Sequence, residues 1–214
     1  MSRLFVTIAV AASLSVAFSA HAFGLGDVPG LGKKSATSGS TDLVGSQDLM
    51  VKQYVSAGKS VLDGNAKMAD AVGLATEAAA ARAAADALSD GATKGALGDS
   101  EKTTSDTSIA IANKLKNTEK LDGPAKEKFA AGLLSLAQGL GKYVGMKGPV
   151  TSFQSGLSSA SPMMLPKLQS GAYILTSFPT SVSNLATSLK NAVSYAQSHD
   201  IPVPKDATDV MGKL

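Results

Sequence analysis

The stretch that most constrains the fold runs from Pro124 to Val144 and has the strongest helical pattern in the chain. Its large apolar residues recur every three or four positions, which places them on one face of an α-helix. These residues are Phe129, Leu133, Leu136, Leu140 and Val144. Gly123-Pro124 marks the helix start, because proline suits the first turn and stops a helix from continuing through it. The stretch therefore predicts a central helix with one leucine-rich face.

The same helix contains three glycines, Gly132, Gly139 and Gly141. Each costs about 1 kcal/mol relative to alanine in a helix interior. Glycines kept at this cost indicate a close approach by another backbone or by a ligand. The GxxxG spacing typical of membrane helix dimers does not occur between them. A bulky substitution at Gly139 is therefore expected to damage the fold more than one at Lys142.

The helix has two main interpretations. A third, a helix that lies on a membrane surface, is less favoured. In the first, the helix packs at the centre of a bundle against partners with small side chains. In the second, it forms one wall of a groove for a lipophilic molecule, together with a later segment that is apolar and contains methionine, a residue that adapts to varied surfaces. The candidate apolar groove consists of Phe129, Leu133, Leu136, Leu140, Val144, Met163 and Met164.

Composition favours an all-α fold. The chain of 214 residues is long enough for one domain with a core, and it contains no cysteine and no tryptophan. Aromatic residues make up 5% of it, and alanine contributes heavily to the apolar fraction. We find no convincing set of alternating strands. The sequence therefore predicts a helical bundle of about five or six helices, with a modest core built largely from small side chains.

The N-terminus predicts a secretory signal peptide over residues 1–22. Arg3 precedes an apolar run, and Ala20 and Ala22 supply the small residues that a cleavage site requires. The apolar run is short for a membrane span. Because no cysteine follows it, a lipid anchor is excluded, although membrane association by other means is left open. We predict export to the periplasm of a bacterial envelope, with an extracellular location as the alternative.

The rest of the chain divides into three predicted regions. Residues 23–45 are rich in Gly, Ser and Thr, which predicts a flexible arm. Residues 46–199 form the predicted bundle. Residues 200–214 form a tail in which two prolines predict an extended start.

Within the bundle, caps and breaks predict where the helices begin and end. Ser46 is the expected cap of the first helix, whose apolar stripe includes Tyr54, and a break or bend is expected at residues 63–65. A second, alanine-rich helix follows over residues 66–88. Residues 90–100 are expected to form a loop, and a later helix is expected to break at Phe178-Pro179.

A third helix is expected to follow that loop, capped by Ser100 or Asp99, with Glu101 favouring the positive end of its dipole. Its apolar side is predicted to include Ile109 and Ala112. The short connection through Gly123 predicts that the third helix and the central helix are antiparallel neighbours.

Motifs for catalysis are incomplete in this chain. Ser56 and Lys59 match the SxxK spacing of envelope acyl-transfer enzymes, but the companion motifs and a strand pattern are missing. The segment 156–160 approaches a nucleophile elbow, with alanine in place of the last glycine and no strand before it. Outside the signal peptide the sole histidine is His199, which cannot form a typical zinc site without cysteine. We therefore predict no catalytic, cofactor-binding or metal-binding residues, and no cofactor.

Charge and export together limit the partners. A formal net charge of +3, evenly dispersed, does not favour nucleic acid. The sequence thus predicts a non-enzymatic envelope protein that binds a protein partner or a lipophilic ligand. A structural or assembly component of the envelope or extracellular matrix is the first alternative. An enzyme whose acidic residues are gathered from distant helices is the second.

Overall fold

The computed structural model describes residues 38–118 and 120–214, so the predicted signal peptide and most of the predicted arm lie outside the described residues. These residues form seven α-helices and a short 3-10 helix, Leu165–Leu168, without any strand. The prediction of an all-α bundle is confirmed. None of the described helices combines the length and the apolar character that crossing a membrane requires. The helices are α1 Ser38–Ala71, α2 Ala75–Ala87, α3 Lys94–Leu115, α4 Gly123–Gly145, α5 Lys147–Leu157, α6 Gln169–Ser198 and α7 Lys205–Met211.

Helix α4 is the predicted central helix, and it begins where its sequence predicts. The Asp122 side chain accepts a hydrogen bond from the backbone N–H of Ala125 at 2.8 Å, and Pro124 occupies the first turn. The most extensive packing between helices in the described residues is that of α4 on α1. The leucine face of α4 is fully buried. The central position predicted for this helix is therefore confirmed.

Glycines allow α1 and α4 to approach closely. A Cβ atom on Gly132 would lie 2.8 Å from the carbonyl oxygen of Gly64, and one on Gly139 would lie 2.9 Å from the backbone nitrogen of Val61. Real Cβ atoms do not approach backbone so closely, so only glycine fits at these two positions. A Cβ atom on Gly141, by contrast, would have only Cγ2 of Val210 nearby, at 3.9 Å. The predicted close approach is therefore made by another backbone, and it involves two of the three glycines.

Helix α1 differs from its predicted boundaries. It begins at Ser38, inside the predicted arm, and it continues without a break through residues 63–65. Gly64 is buried against α4, so the glycine serves the helix contact and does not end the helix. The chain turns instead at Gly73, whose φ of 77° lies in the left-handed region that favours glycine. The predicted break was thus placed at the wrong glycine.

Helix α3 also begins earlier than predicted, and its buried face differs. Thr93 caps it by accepting from the N–H of Ala96 at 3.3 Å, so residues 94–100 are helical. Leu97 and Ile111 are buried, whereas Ile109 is 56% exposed. Within the described residues α3 packs on α1, α2 and α6 and does not pack on α4. The predicted pairing of α3 with α4 is therefore wrong, because α1 packs against both of them.

Helix α6 runs through the predicted break at Pro179. The proline side of the helix is exposed, while Ile174, Phe178 and Leu185 are buried on the opposite side. Burial of such side chains contributes about 1.5–3 kcal/mol each, which together exceeds the roughly 3 kcal/mol that an interior proline costs. Helix α6 packs on α1, α3 and α4, and α7 in the predicted tail packs on α4 and α6.

Candidate functional site

A groove of about 740 Å³ lies between α3 and α6, and we call it the α3–α6 groove. Ile109, Ala112 and Leu185 provide apolar surface within it. Most of its remaining lining is formed by neutral hydroxyl and amide side chains. Among them are Ser105, Ser108, Thr180, Asn184, Thr187 and Asn191. The groove is therefore amphiphilic, with neutral polar groups beside an apolar surface that makes up the larger part of its wall.

Glu101 lies in this groove and accepts hydrogen bonds from three hydroxyl groups. Tyr54 and Ser181 donate to its Oε1 atom, the latter at 2.5 Å, and Tyr173 donates to Oε2. Ser177 lies next to this group, with its Oγ atom 3.3 Å from the hydroxyl oxygen of Tyr54. Helices α1, α3 and α6 each contribute to the cluster, which we call the Glu101 cluster.

Three of the four tyrosines in the chain lie at this cluster. The rings of Tyr54 and Tyr143 meet edge to face with centroids 4.9 Å apart, and both residues are buried. Burial raises the pKa of each of these two hydroxyls, and the negative charge of Glu101 raises it further. The pKa of the half-buried Tyr173 is raised by the same two effects. All three tyrosines therefore stay protonated at neutral pH, as hydrogen-bond donors must.

The carboxylate of Glu101 has no cationic partner among the described residues. Its neighbour Lys102 pairs instead with Asp106, at 2.5 Å. The other ion pairs of the described chain join Lys67 to Asp63, Arg82 to Asp70, and Lys205 to Asp209. The partly buried carboxylate of Glu101 is therefore surrounded by hydroxyl donors and by no paired cation that the structure describes. The Glu101 cluster is thus an acceptor for positive charge.

A second acceptor lies beneath the groove. Asn65 is fully buried, and its Nδ2 group donates to the backbone oxygen of Thr104 at 3.2 Å and to the Oγ of Ser108 at 3.0 Å. Its Oδ1 atom has no hydrogen-bond donor among the described residues. Asn65 also borders a small cavity of about 30 Å³, which shares Ser108 and Ala112 with the groove and is large enough for one water molecule.

The residues of the predicted apolar groove do not line the α3–α6 groove. Four of them, Phe129, Leu133, Leu136 and Leu140, are fully buried in the core. They are therefore packing residues. The other three residues lie at three different places. Val144 borders a cavity of about 230 Å³ between α4 and α7, Met163 is 87% exposed, and Met164 packs at the edge of the core.

The residues of the incomplete catalytic motifs also lie outside the lining of the α3–α6 groove. Ser56 and Lys59 are both exposed on α1, and the hydroxyl of Ser56 accepts from Lys142 at 3.2 Å. His199 stacks on Tyr195 with ring centroids 4.0 Å apart, at the end of α6. The described residues contain no group of three or more acidic, histidine or cysteine side chains that could hold a metal ion.

The sequence pattern does not predict the Glu101 cluster. It predicts that Glu101 favours the helix dipole and that Tyr54 belongs to an apolar stripe. The donors lie 47, 72 and 80 positions away from Glu101 along the chain, so no local spacing connects them. The concentration of hydroxyl and amide residues on two separate helices was the one available signal. It points to a polar surface only when α3 and α6 are known to be neighbours.

Comparison with known proteins does not identify this chain by similarity. No protein-family model matches it, and no curated protein or solved structure matches it significantly.

Proposed function

We propose that this chain is an exported, non-enzymatic binding protein that holds an elongated amphiphilic small molecule in the α3–α6 groove. The observation that supports this proposal is the size and lining of the groove. Its volume of about 740 Å³ is within the range of roughly 300–1,000 Å³ found for small-molecule sites. Between the two occupants that the sequence left open, such a groove favours a small ligand over a protein partner.

The length of the groove supports an elongated ligand. Its lining on α3 extends from Gly98 to Ala112, which corresponds to about 21 Å along a helix axis. Apolar surface from Ile109 and Leu185 provides contact for a hydrocarbon chain, while the hydroxyls and amides bind polar groups along its edge. An extended chain with at least one polar end matches both features.

Binding explains the Glu101 cluster better than catalysis does. Ser181 lies 2.5 Å from Glu101, but a carboxylate is a weak base for a serine, and no histidine among the described residues lines the groove. The three hydroxyls hold Glu101 in one orientation. A fixed carboxylate in an amphiphilic groove suits recognition of a ligand.

The groove itself is tested with octan-1-ol as a neutral amphiphilic probe. We expect the alcohol to bind the mature chain, and to shift NMR signals of residues lining α3 and α6. Ala112→Trp places an indole in the groove and should abolish this binding. Ala83→Trp makes the same change at an exposed position on α2 and should leave binding intact. Binding that survives Ala112→Trp would contradict the proposed location.

Export is tested by fractionating cells that express the full chain and sequencing the N-terminus of the product. Cleavage after Ala22 predicts a periplasmic protein that begins at Phe23. A product in the cytoplasm that retains residues 1–22 would contradict export, and this outcome is independent of the groove.

A further inference from the structure

We propose that the α3–α6 groove recognises its ligand by a primary ammonium group, which binds the carboxylate of Glu101. This inference rests on the proposed function, because it assigns the head group of the molecule that the groove binds. The hydrocarbon part of the ligand then lies along α3 toward Ile109 and Ala112. From Glu101 to Ala112 the helix rises about 16 Å, which leaves room for a chain of eight or more carbon atoms.

The carboxylate of Glu101, unpaired within the described part of the chain, favours a cationic group on the ligand. Glu101 is partly buried, and no described side chain forms an ion pair with it, because Lys102, which also lines the groove, pairs with Asp106. Away from bulk water, attraction between opposite charges is several times stronger than in water. A ligand cation therefore gains more from Glu101 than from the exposed carboxylates elsewhere on the bundle, such as that of Glu127.

The number of free acceptor positions on the Glu101 carboxylate favours an ammonium group over a guanidinium group. A carboxylate offers about four lone-pair positions on its two oxygens. Tyr54 and Ser181 both bind Oε1, and Tyr173 binds Oε2, so one position remains, on Oε2. A guanidinium group binds best through two parallel bonds to both oxygens, and Oε1 is already occupied. An ammonium group needs a single carboxylate position.

The hydroxyl groups and aromatic rings beside the free position on Oε2 also suit an ammonium group. An ammonium group has three N–H donors, and only one is used on Glu101. The hydroxyl oxygens of Ser177 and Tyr173 line the groove beside Glu101 and retain acceptor capacity for the other two. The rings of Tyr143 and Tyr173 also line the groove, and aromatic faces attract cations. Carboxylate, hydroxyls and aromatic rings together match a primary ammonium group.

A metal ion fits this donor set less well. Calcium takes six to eight oxygen ligands, usually including several carboxylates, and magnesium demands an octahedral set. Glu101 is the one carboxylate that lines the groove in the described residues. Three of the hydroxyls around it, moreover, donate to it and thus present hydrogen atoms toward the same oxygens.

Isothermal titration of the mature chain with four probes tests the inference. The probes are octan-1-amine, octan-1-ol, octylguanidinium and Nα-acetyl-lysine N-methylamide. We expect the amine to bind about tenfold or more tightly than the alcohol, as a charge-assisted hydrogen bond implies. The guanidinium probe should bind more weakly than the amine. The lysine derivative separates the two sources of an ammonium group: tight binding would identify a lysine side chain, and weak binding a free long-chain amine.

Glu101→Gln removes the charge while retaining an acceptor oxygen for the hydroxyls. It should reduce the preference for amine over alcohol to about twofold or less. Glu127→Gln removes one charge from an exposed position on α4 and should leave the preference as in the wild type. Circular dichroism checks that both variants fold.

The outcomes separate the inference from the proposed function. Equal affinity of amine and alcohol, or a preference that survives Glu101→Gln, would overturn the ammonium site and leave the groove as a binding site. A guanidinium probe that binds as tightly as the amine would overturn the choice of head group. Failure of every probe, the alcohol included, would overturn the proposed function as well. Binding of Mg²⁺ or Ca²⁺ in competition with the amine would overturn the assignment to an organic cation.

Discussion

Replacing Gly64 with alanine tests whether the approach of α1 to α4 holds this bundle together. A Cβ atom at this position would lie 2.6 Å from the backbone nitrogen of Leu136 and 2.8 Å from the carbonyl oxygen of Gly132. Ordinary contacts between non-bonded atoms are about 3.5–4.0 Å, so the helices must separate by roughly 1 Å. Both neighbours are backbone atoms, and no change of side-chain rotamer can relieve the clash.

The expected loss follows from two opposing effects. Alanine gains about 1 kcal/mol in helix propensity over glycine. Overpacking at a rigid contact costs about 1–3 kcal/mol and sometimes more, and the displaced α4 also loses packing along its buried leucine face. We expect Gly64→Ala to lower the free energy of unfolding by about 1–2 kcal/mol, which lowers Tm by roughly 2–8 °C for a domain of this size.

Gly141→Ala is the matched control, because it makes the same change in the interior of α4 without a clash. Its nearest neighbour would be Cγ2 of Val210 at 3.9 Å. Only the propensity gain applies there, so Tm should rise by about 2–4 °C. Thermal and urea unfolding of the purified protein, followed by circular dichroism, measures both variants. If Gly64→Ala stabilises the protein as much as Gly141→Ala does, the close contact between α1 and α4 at Gly64 does not limit stability.

Two further predictions concern the tyrosines and α6. Because the pKa of Tyr54 is raised in the folded state, its contribution to stability is complete below the ordinary tyrosine pKa of about 10 and is lost as pH rises above it. The urea midpoint should therefore fall above about pH 10, and Tyr54→Phe should flatten this fall; an equal slope in the variant would contradict it. Pro179→Ala restores a backbone donor in an exposed part of α6 and should raise the free energy of unfolding by about 1 kcal/mol or more. A loss of stability on urea unfolding would mean that packing of the neighbouring Phe178 requires the proline.

Local chemistry explains the parts of the fold that the sequence predicted correctly. Asp122 and Pro124 act on backbone groups within one helical turn, so the start of α4 follows from residues that are adjacent in the chain. The leucine face of α4 follows from spacing alone. The all-α class follows from alanine-rich composition and the absence of alternating patterns.

The errors occurred where packing overrides a local preference. Gly64 lies between polar residues and Gly73 between apolar ones, but Gly64 is pressed against α4 and Gly73 takes a positive φ. Pro179 remains helical because Ile174, Phe178 and Leu185 are buried on the other side of α6. Ile109 faces the groove while Ile111 faces the core, a choice that depends on where α6 lies.

By itself the sequence determined the helical class, the central helix and its capped start, because each depends on interactions between residues a few positions apart. Only the tertiary structure decided which glycines let two helices pack closely and which glycine ends a helix, and only it brought Tyr54, Tyr173 and Ser181 to Glu101. Those contacts join three helices across 47 to 80 positions of sequence. They form because α1, α3 and α6 bury their apolar faces against one another, and no single segment encodes that arrangement.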